Sequence, residues 1–378
     1  MKCEIDRAAL LKALAHVQSV VEKRNTIPIL ANVLLQAKDG RLSLTATDME
    51  IAVVEEVPAE VSRNGAATAP AATLYEIVRR LPEGARVTLE HGGGSREGEG
   101  TLSLRSGRYA TNLVALPVGD FPAMTAGNLP HHFALSAKAL RGLIDRTRFA
   151  ISTEETRYYL NGIFLHAAES EGTPVLRAVA TDGHRLARIE EPLPEGAASI
   201  PGVILPRKSV LELRKLLDDF NDEVEIALSE TRMQFRIGPV MLTTKLIDGT
   251  FPEYERVIPR DNDKILRVMR KDFAEAVARV AAISTERSRP VKMSLSRDLL
   301  VLSASSPEQG TATEELERGQ VQYDASPLEI GFQARYLNDV TEHIAGDVEF
   351  RFADGTAPTV VRDIADLSAL YVLMPMRV

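Results

Sequence analysis

Tryptophan is missing from this sequence and cysteine nearly so, with Cys3 the only thiol in 378 residues. One thiol makes no internal disulfide and no Cys-based zinc centre, so a packed core must hold the fold. Aromatic residues make up 5%, too few for the stacking platforms that grip single-stranded nucleic acid. No apolar run approaches the roughly 20 residues needed to span a bilayer. The opening Met-Lys-Cys-Glu-Ile-Asp is acidic and gives no apolar leader core, so a cytoplasmic protein is expected. A positive excess is absent as well. The net charge of −8 disfavours a small basic protein that coats nucleic acid, yet leaves room for local basic surfaces on an acidic body.

What the chain does have is internal repetition. Length alone suggests two or three domains. Apolar residues at helical spacing predict helices over 6–17, 136–149 and 271–283, with Asp6, Ser136 and Asp272 as N-caps. Second helices are predicted over 70–81, 206–217 and 333–344, and two of these open on proline, which suits the first helical position. Over 41–46, 101–105, 224–228, 299–304 and 348–352 the period falls to two, the mark of half-buried strands. Two segments close alike, LPVGDFP at 116–122 and LIDGTFP at 246–252, 130 positions apart. The expectation is an α+β chain of three copies, each helix, strands, helix, strands, with boundaries at 1–127, 128–259 and 260–378. The Gly-rich stretch 91–100 lacks the lysine and the strand-to-helix setting of a phosphate-cradling loop, and reads as a hairpin connection.

Thr181-Asp182-Gly183-His184 has an earlier cousin in Thr45-Ala46-Thr47-Asp48, and the two aspartates are 134 positions apart. A general base or a metal ligand has no reason to recur at the same place in a repeat. A turn-forming Asp that accepts from its own backbone does. Metal binding by His184 would also need further ligands at suitable spacing. Basic residues gather on helices despite the acidic total: 136–148 and 206–217 each carry a net +3, and 6–17 carries +1 with Arg24 beyond it. Three copies that put those helices on one side would make a positive lining that takes phosphates without reading bases. Two other readings compete, a phosphoester hydrolase built on Asp182 and His184, and a monomeric nucleic-acid-binding scaffold. The C-terminal ALYVLMPMRV (369–378) is apolar where termini are normally polar. It either docks in the core or lines a site, a task for which methionine is adaptable.

Longer runs carry a resemblance. RYYLNG (157–162), AVATDGHRLA (178–187), VILPRK (203–208), KLIDGTFP (245–252) and YVLMPMR (371–377), with TIPIL (26–30) and the strand over 42–48, resemble the bacterial sliding clamps, the beta subunits of DNA polymerase III. The match runs in family order along the whole chain. It implies three clamp domains, each with two helices inside and antiparallel sheets outside, and a head-to-tail homodimer that closes a ring around double-stranded DNA. It implies a processivity factor rather than an enzyme, with no cofactor, no metal and no membrane. The implied partners are sequence-neutral duplex DNA, a second copy, and short peptides from the DNA polymerase III alpha subunit, the clamp loader, other polymerases and repair proteins.

By position, the resemblance assigns Arg24, Arg157, Tyr158, Tyr159, Arg207 and Lys208 to DNA. The family's basic pair before the first domain's second helix is here Ala72-Thr73. The peptide pocket is assigned Leu160, Thr181, Gly183, His184, Arg185, Leu186, Pro252, Val257, Val372, Met374, Pro375, Met376 and Arg377, with Gln333 and Tyr336 at its rim. The dimer interface is assigned Arg105 and Arg108 on one side, Glu308, Glu314, Glu315 and Glu317 on the other, and Ile283 as an apolar contact.

Overall fold

The computed structural model describes residues 1–21, 26–92, 100–283 and 290–377. Arg24 and the centre of the Gly-rich connection, 93–99, lie outside them. The strands on either side of that connection, Arg86–Gly92 and Gly100–Ser106, pair antiparallel as a hairpin requires.

Among the described residues six α-helices follow the expected order: Arg7–Gln18 (α1), Ala71–Arg80 (α2), Ala137–Asp145 (α3), Arg207–Leu216 (α4), Arg270–Ala281 (α5) and Ala334–Glu342 (α6). Asp6 caps α1, its Oδ1 accepting from the amides of Ala8 and Ala9 at 2.8 and 3.2 Å. Ser136 Oγ accepts from Ala139 N at 3.1 Å at the start of α3. That helix stops short of 149. Thr147 Oγ1 donates back to Leu143 O at 2.5 Å, a bond that bends the turn, and the chain continues as the 3-10 turn Arg148–Ala150. Asp272 does not cap α5, which has already begun at Arg270. Its carboxylate instead accepts from Gln320 Nε2 at 2.7 Å.

Contacts divide the chain into two compact units. The first comprises 1–140, 194–201 and 208–246. It holds a five-stranded sheet that ends at Tyr109–Ala115, and an eight-stranded sheet. In the eight-stranded sheet, Ile51–Pro58 of the first copy pairs with Val240–Lys245 of the second, from Glu55↔Val240 to Ile51↔Thr244. The apolar stripe of α1 (Leu10, Ala13, Leu14 and Val17) is fully buried against α2 and the strands Arg41–Thr47 and Ile51–Pro58.

The second unit comprises 141–193, 202–207 and 247–378. It holds a nine-stranded sheet and a four-stranded sheet that ends at Gly310–Leu316. Here Arg185–Pro192 of the second copy pairs with Ala369–Leu373 of the third, from Arg185↔Leu373 to Ile189↔Ala369. Helix α5 packs on α6 and on the strands of the four-stranded sheet. The central copy is thus divided between the units, because strand pairing joins neighbouring copies as continuously as it joins strands within one copy.

Candidate functional site

The turn at Thr181 is built by its own side chains. Thr181 Oγ1 donates to Arg185 O at 2.7 Å and accepts from Gly183 N at 3.1 Å. Asp182 Oδ1 accepts from the amides of His184 and Arg185 at 3.0 and 3.1 Å. The first copy repeats every bond. Thr47 Oγ1 donates to Ile51 O at 2.9 Å and accepts from Met49 N at 3.0 Å, and Asp48 Oδ1 accepts from Glu50 N and Ile51 N, both at 2.8 Å. The third residue is left-handed in both, Gly183 at φ +87° and Met49 at φ +76°. Asp182 Oδ2 is also engaged, by Arg185 Nε at 3.2 Å. Both carboxylate oxygens are committed to the turn, so the hydrolase reading loses Asp182 as a free carboxylate, and the His184 ring stacks on Tyr336 at 6.3 Å between centroids.

Arg185, 5% exposed, binds three pieces of chain together. Besides Asp182, its guanidinium pairs with Asp339 on α6 and donates to Phe149 O at 2.5 Å. It lies between the Phe149 and Tyr336 rings, 5.1 and 4.5 Å from their centroids. Its head group is therefore scaffold.

Because Arg185–Pro192 and Ala369–Leu373 are neighbours, the end of the chain lies beside the turn. Met374 N donates to His184 O at 2.9 Å and carries the pairing one residue further. Between them opens a cavity of about 260 Å³. Leu160, Thr181, Gly183, Arg185, Leu186, Pro252, Val257, Val372 and Met374 line it, all of them assigned to the pocket from sequence, together with Arg157, Tyr159, Glu253 and Tyr254. Its floor is a buried apolar cluster that includes Leu160, Val179, Leu186, Phe251, Tyr254 and Val372. The apolar tail does both things expected of it: 369–373 is buried core, and Met374 lines the cavity.

The remaining pocket residues lie elsewhere. His184 and Tyr336 stack on each other, and Gln333 ends the strand Leu328–Gln333 just before α6. Pro375, Met376 and Arg377 line a separate hollow of about 540 Å³ with Gly331 and Gly355, where Met376 N donates to Gly331 O at 2.8 Å. Tyr254 and Glu253 were not singled out from sequence. The signal was their place between Pro252 and Val257.

Profiles of the DNA polymerase III beta subunit match in turn its N-terminal domain over 1–125, its central domain over 134–253 and its C-terminal domain over 255–377. The chain belongs to the DNA polymerase III beta subunit family. The beta sliding clamp of Caulobacter vibrioides is 53% identical and that of Escherichia coli K12 is 38% identical, each over the full length of both chains. A crystal structure of the Caulobacter crescentus beta sliding clamp superposes with a TM-score of 0.96 at 53% identity, covering 100% of this chain and 99% of that one. A sliding clamp of Bartonella birtlesii bound to griselimycin superposes with a TM-score of 0.95 at 45% identity, covering 100% of both.

Among the residues that the family resemblance assigns to DNA, Arg157 and Tyr159 line the cavity, while Tyr158 is 53% exposed. Arg157 crosses over Gly183 so closely that a Cβ there would lie 2.7 Å from Arg157 Nη1. Gly183 suits the positive φ, and any side chain there would push the Arg157 head group aside. Arg207 is exposed, and Lys208 is ion-paired with Asp48. The basic helices are also less free than their net charges suggest. Arg146 pairs with Glu191 and Asp366 at 3.5 and 2.7 Å, Arg148 with Asp145 at 3.2 Å, Lys215 with Glu212 at 2.8 Å, and Arg214 with Asp218. Most of these pairs are half-buried, so the cations are held by partners of this chain.

At the sheet ends, Arg105 and Arg108 are exposed next to Tyr109–Ala115, and Glu308, Glu315 and Glu317 are exposed around Gly310–Leu316. Glu314 differs. Arg279 holds it at 2.6 and 2.9 Å and keeps its carboxyl below the usual carboxylate range. Ile283 is half-buried just after α5. Val114, 67% exposed, and Tyr109, 43% exposed, are the large apolar residues at this edge. The alternation in YATNLVA, which buries Leu113 and Ala115, could have pointed to Val114.

Proposed function

We propose that this chain is a sliding clamp, a non-catalytic processivity factor. Two copies close head-to-tail around duplex DNA and tether polymerases by short peptides seated in the cavity beside Met374. The sheet order carries this reading. Within one chain, consecutive copies are joined twice by antiparallel strand pairing, at Ile51–Pro58 beside Val240–Lys245 and at Arg185–Pro192 beside Ala369–Leu373. In that scheme Tyr109–Ala115 stands in the place of the second strand of each join, and Gly310–Leu316 in the place of the first. Among the described residues these two strands end their sheets. A second copy supplies the missing neighbour at each, and a head-to-tail contact of this kind must close or grow indefinitely. Closure also covers edges that would otherwise invite aggregation.

The domains are 1–127, 128–259 and 260–378. DNA held by enclosure needs only weak contacts, supplied by Arg24, Tyr158, Arg207 and Lys208 and by the paired basic residues of the helices. Peptides of the DNA polymerase III alpha subunit, the clamp loader, other polymerases and repair proteins share the cavity, and griselimycin occupies it too. An apolar cleft with a few polar groups at its margin suits a linear peptide. Among the described residues no helix is long and apolar enough to cross a membrane, and the cytoplasm, where DNA is, is the proposed location.

The test has two arms. The protein, loaded on nicked circular DNA, is retained and then lost when the circle is cut. Equal retention on circular and linear DNA would rule out enclosure, and sedimentation as a monomer at micromolar concentration would favour a scaffold. Met374→Ala abolishes peptide binding and leaves the dimer intact. Unchanged peptide affinity would remove the cavity assignment.

A further inference from the structure

We infer that a buried hydrogen-bonded chain, Glu190–Arg177–Tyr254–His166, positions the Tyr254–Val257 turn and so sets the affinity of the peptide cavity, an inference that rests on the cavity reading above. Tyr254 and Val257 form part of the cavity wall. Behind that wall is a second hollow of about 880 Å³, lined by Phe164, His166 and Arg260 among others, and Pro252, Glu253 and Tyr254 face both spaces. A wall with open space on either side is not located by packing alone. Polar ties must locate it.

Those ties are present, and all of the four residues but the half-buried His166 are buried. Tyr254 is 6% exposed, Arg177 3% and Glu190 8%. Arg177 Nε donates to Glu190 Oε1 at 2.8 Å, and its Nη1 donates to Tyr254 Oη at 2.8 Å and to Glu255 Oε1 at 2.6 Å. Nη2 reaches Glu169 O at 3.3 Å. One guanidinium thus fixes two consecutive residues of the turn to the strands Thr173–Thr181 and Arg185–Pro192 behind it. Arg177, Glu190 and His166 are positioning residues, and the Tyr254 ring alone among the four lines the cavity.

His166 decides the direction of the last bond. Its Nδ1 is 2.9 Å from Ala167 O, and a carbonyl only accepts, so Nδ1 carries the hydrogen. The neutral ring then has its lone pair on Nε2, 3.0 Å from Tyr254 Oη. Tyr254 donates to His166 and accepts from Arg177, and both capacities of its hydroxyl are used. An imidazolium would point an N–H at that same oxygen, leaving the phenol proton without its acceptor. The chain of bonds is complete only with His166 neutral. Burial and the nearby Arg177 hold the imidazole below its ordinary value of 6.5, against the pull of Glu255 and Glu190. Arg260 and Asp261 face the same hollow. Because the bound geometry needs the neutral ring, affinity is full at 6.5 and above and falls only as pH drops through the lowered value at which the buried imidazole takes its proton.

The experiment titrates griselimycin, the ligand of the Bartonella structure, into the full-length protein by calorimetry at about pH 7.5 and pH 5.8. Wild type binds more weakly at the lower pH. Tyr254→Phe, which removes one oxygen with both of its hydrogen bonds and keeps the ring, binds roughly three- to ten-fold more weakly at pH 7.5, about the net worth of one hydrogen bond, and loses little more at pH 5.8. His166→Gln, which cannot titrate, has the same affinity at both. Arg177→Met weakens binding as well, but it leaves Glu190 buried with only Arg188 at 3.4 Å, so Tyr254→Phe is the deciding variant. Met374→Ala separates the two levels of inference. If it binds like wild type, the cavity assignment fails. If it loses binding while Tyr254→Phe matches wild type at both pH values, the cavity stands and the positioning chain is overturned.

Discussion

Met49 occupies a backbone conformation that its counterpart in the second copy gives to glycine. Both residues are left-handed, at φ +76° and +87°, and the turns around them make the same bonds. A side chain in that conformation costs roughly 1–2 kcal/mol, while glycine's extra freedom in the unfolded chain costs roughly 0.5–1 kcal/mol. The first cost is the larger, and the Met49 side chain is 42% exposed, so little packing is lost with it. Met49→Gly is expected to stabilise the protein by about 0.5 kcal/mol. Urea unfolding checks this, and a lowered midpoint at unchanged slope would show that Met49 packs where its exposure says it does not.

At the scale of elements, α6 depends on an arginine from another copy. Arg185 pairs with Asp339, while its plane lies against Tyr336 and Phe149. Arg185→Met leaves Asp182 without its cation and Asp339 with only the exposed Arg335 at 3.4 Å, and because both carboxylates are half-buried the cost is about 1–3 kcal/mol, less than for a fully buried pair. The expected result is a lower melting temperature with faster hydrogen exchange concentrated in α6. Exchange unchanged in α6 would mean that its core face suffices. The helices themselves were legible, since Leu10, Leu14 and Val17, or Phe273, Val277 and Val280, recur at the spacing that buries one face. Their ends were not, because distant or irregular partners set them: Thr147 turning back on Leu143, and Asp272 answering Gln320. The site divides in the same way. Leu160, Leu186, Val372 and Met374 could be placed by family position, but nothing local tells that Arg157 folds across Gly183 into the same cavity. The Arg177–Tyr254 bond spans 77 positions and leaves no mark in either neighbourhood.

For the whole molecule, assembly turns on two strands. Tyr109–Ala115 carries Val114 and Tyr109 outward, and Gly310–Leu316 carries glutamates. Exposed ion pairs add little, so strand pairing and apolar burial must supply most of the closure. Val114→Asp places a charge in the apolar part of that contact and sets it against the glutamates. The expected outcome is a monomer by sedimentation, no retention on circular DNA, and unchanged griselimycin affinity, because the cavity is built within the second unit. A dimer that persists would move the contact away from Val114. The three-copy pattern was visible in sequence because helix and strand periods recur. The continuity of sheets across copies was not, since strand partners 50 or more residues apart share no local signal, as with Glu55 and Val240.

The turn that occurs twice has one geometry and two settings. In each copy one aspartate oxygen shapes the backbone and the other holds a base, Lys208 against Asp48 and Arg185 against Asp182. The residues around Asp48 serve the turn, while Thr181 and Gly183 on either side of Asp182 also line the cavity. The same knot of bonds is thus a corner of the chain in one place and the edge of an opening in the other. A change at the second turn reaches fold and cavity together.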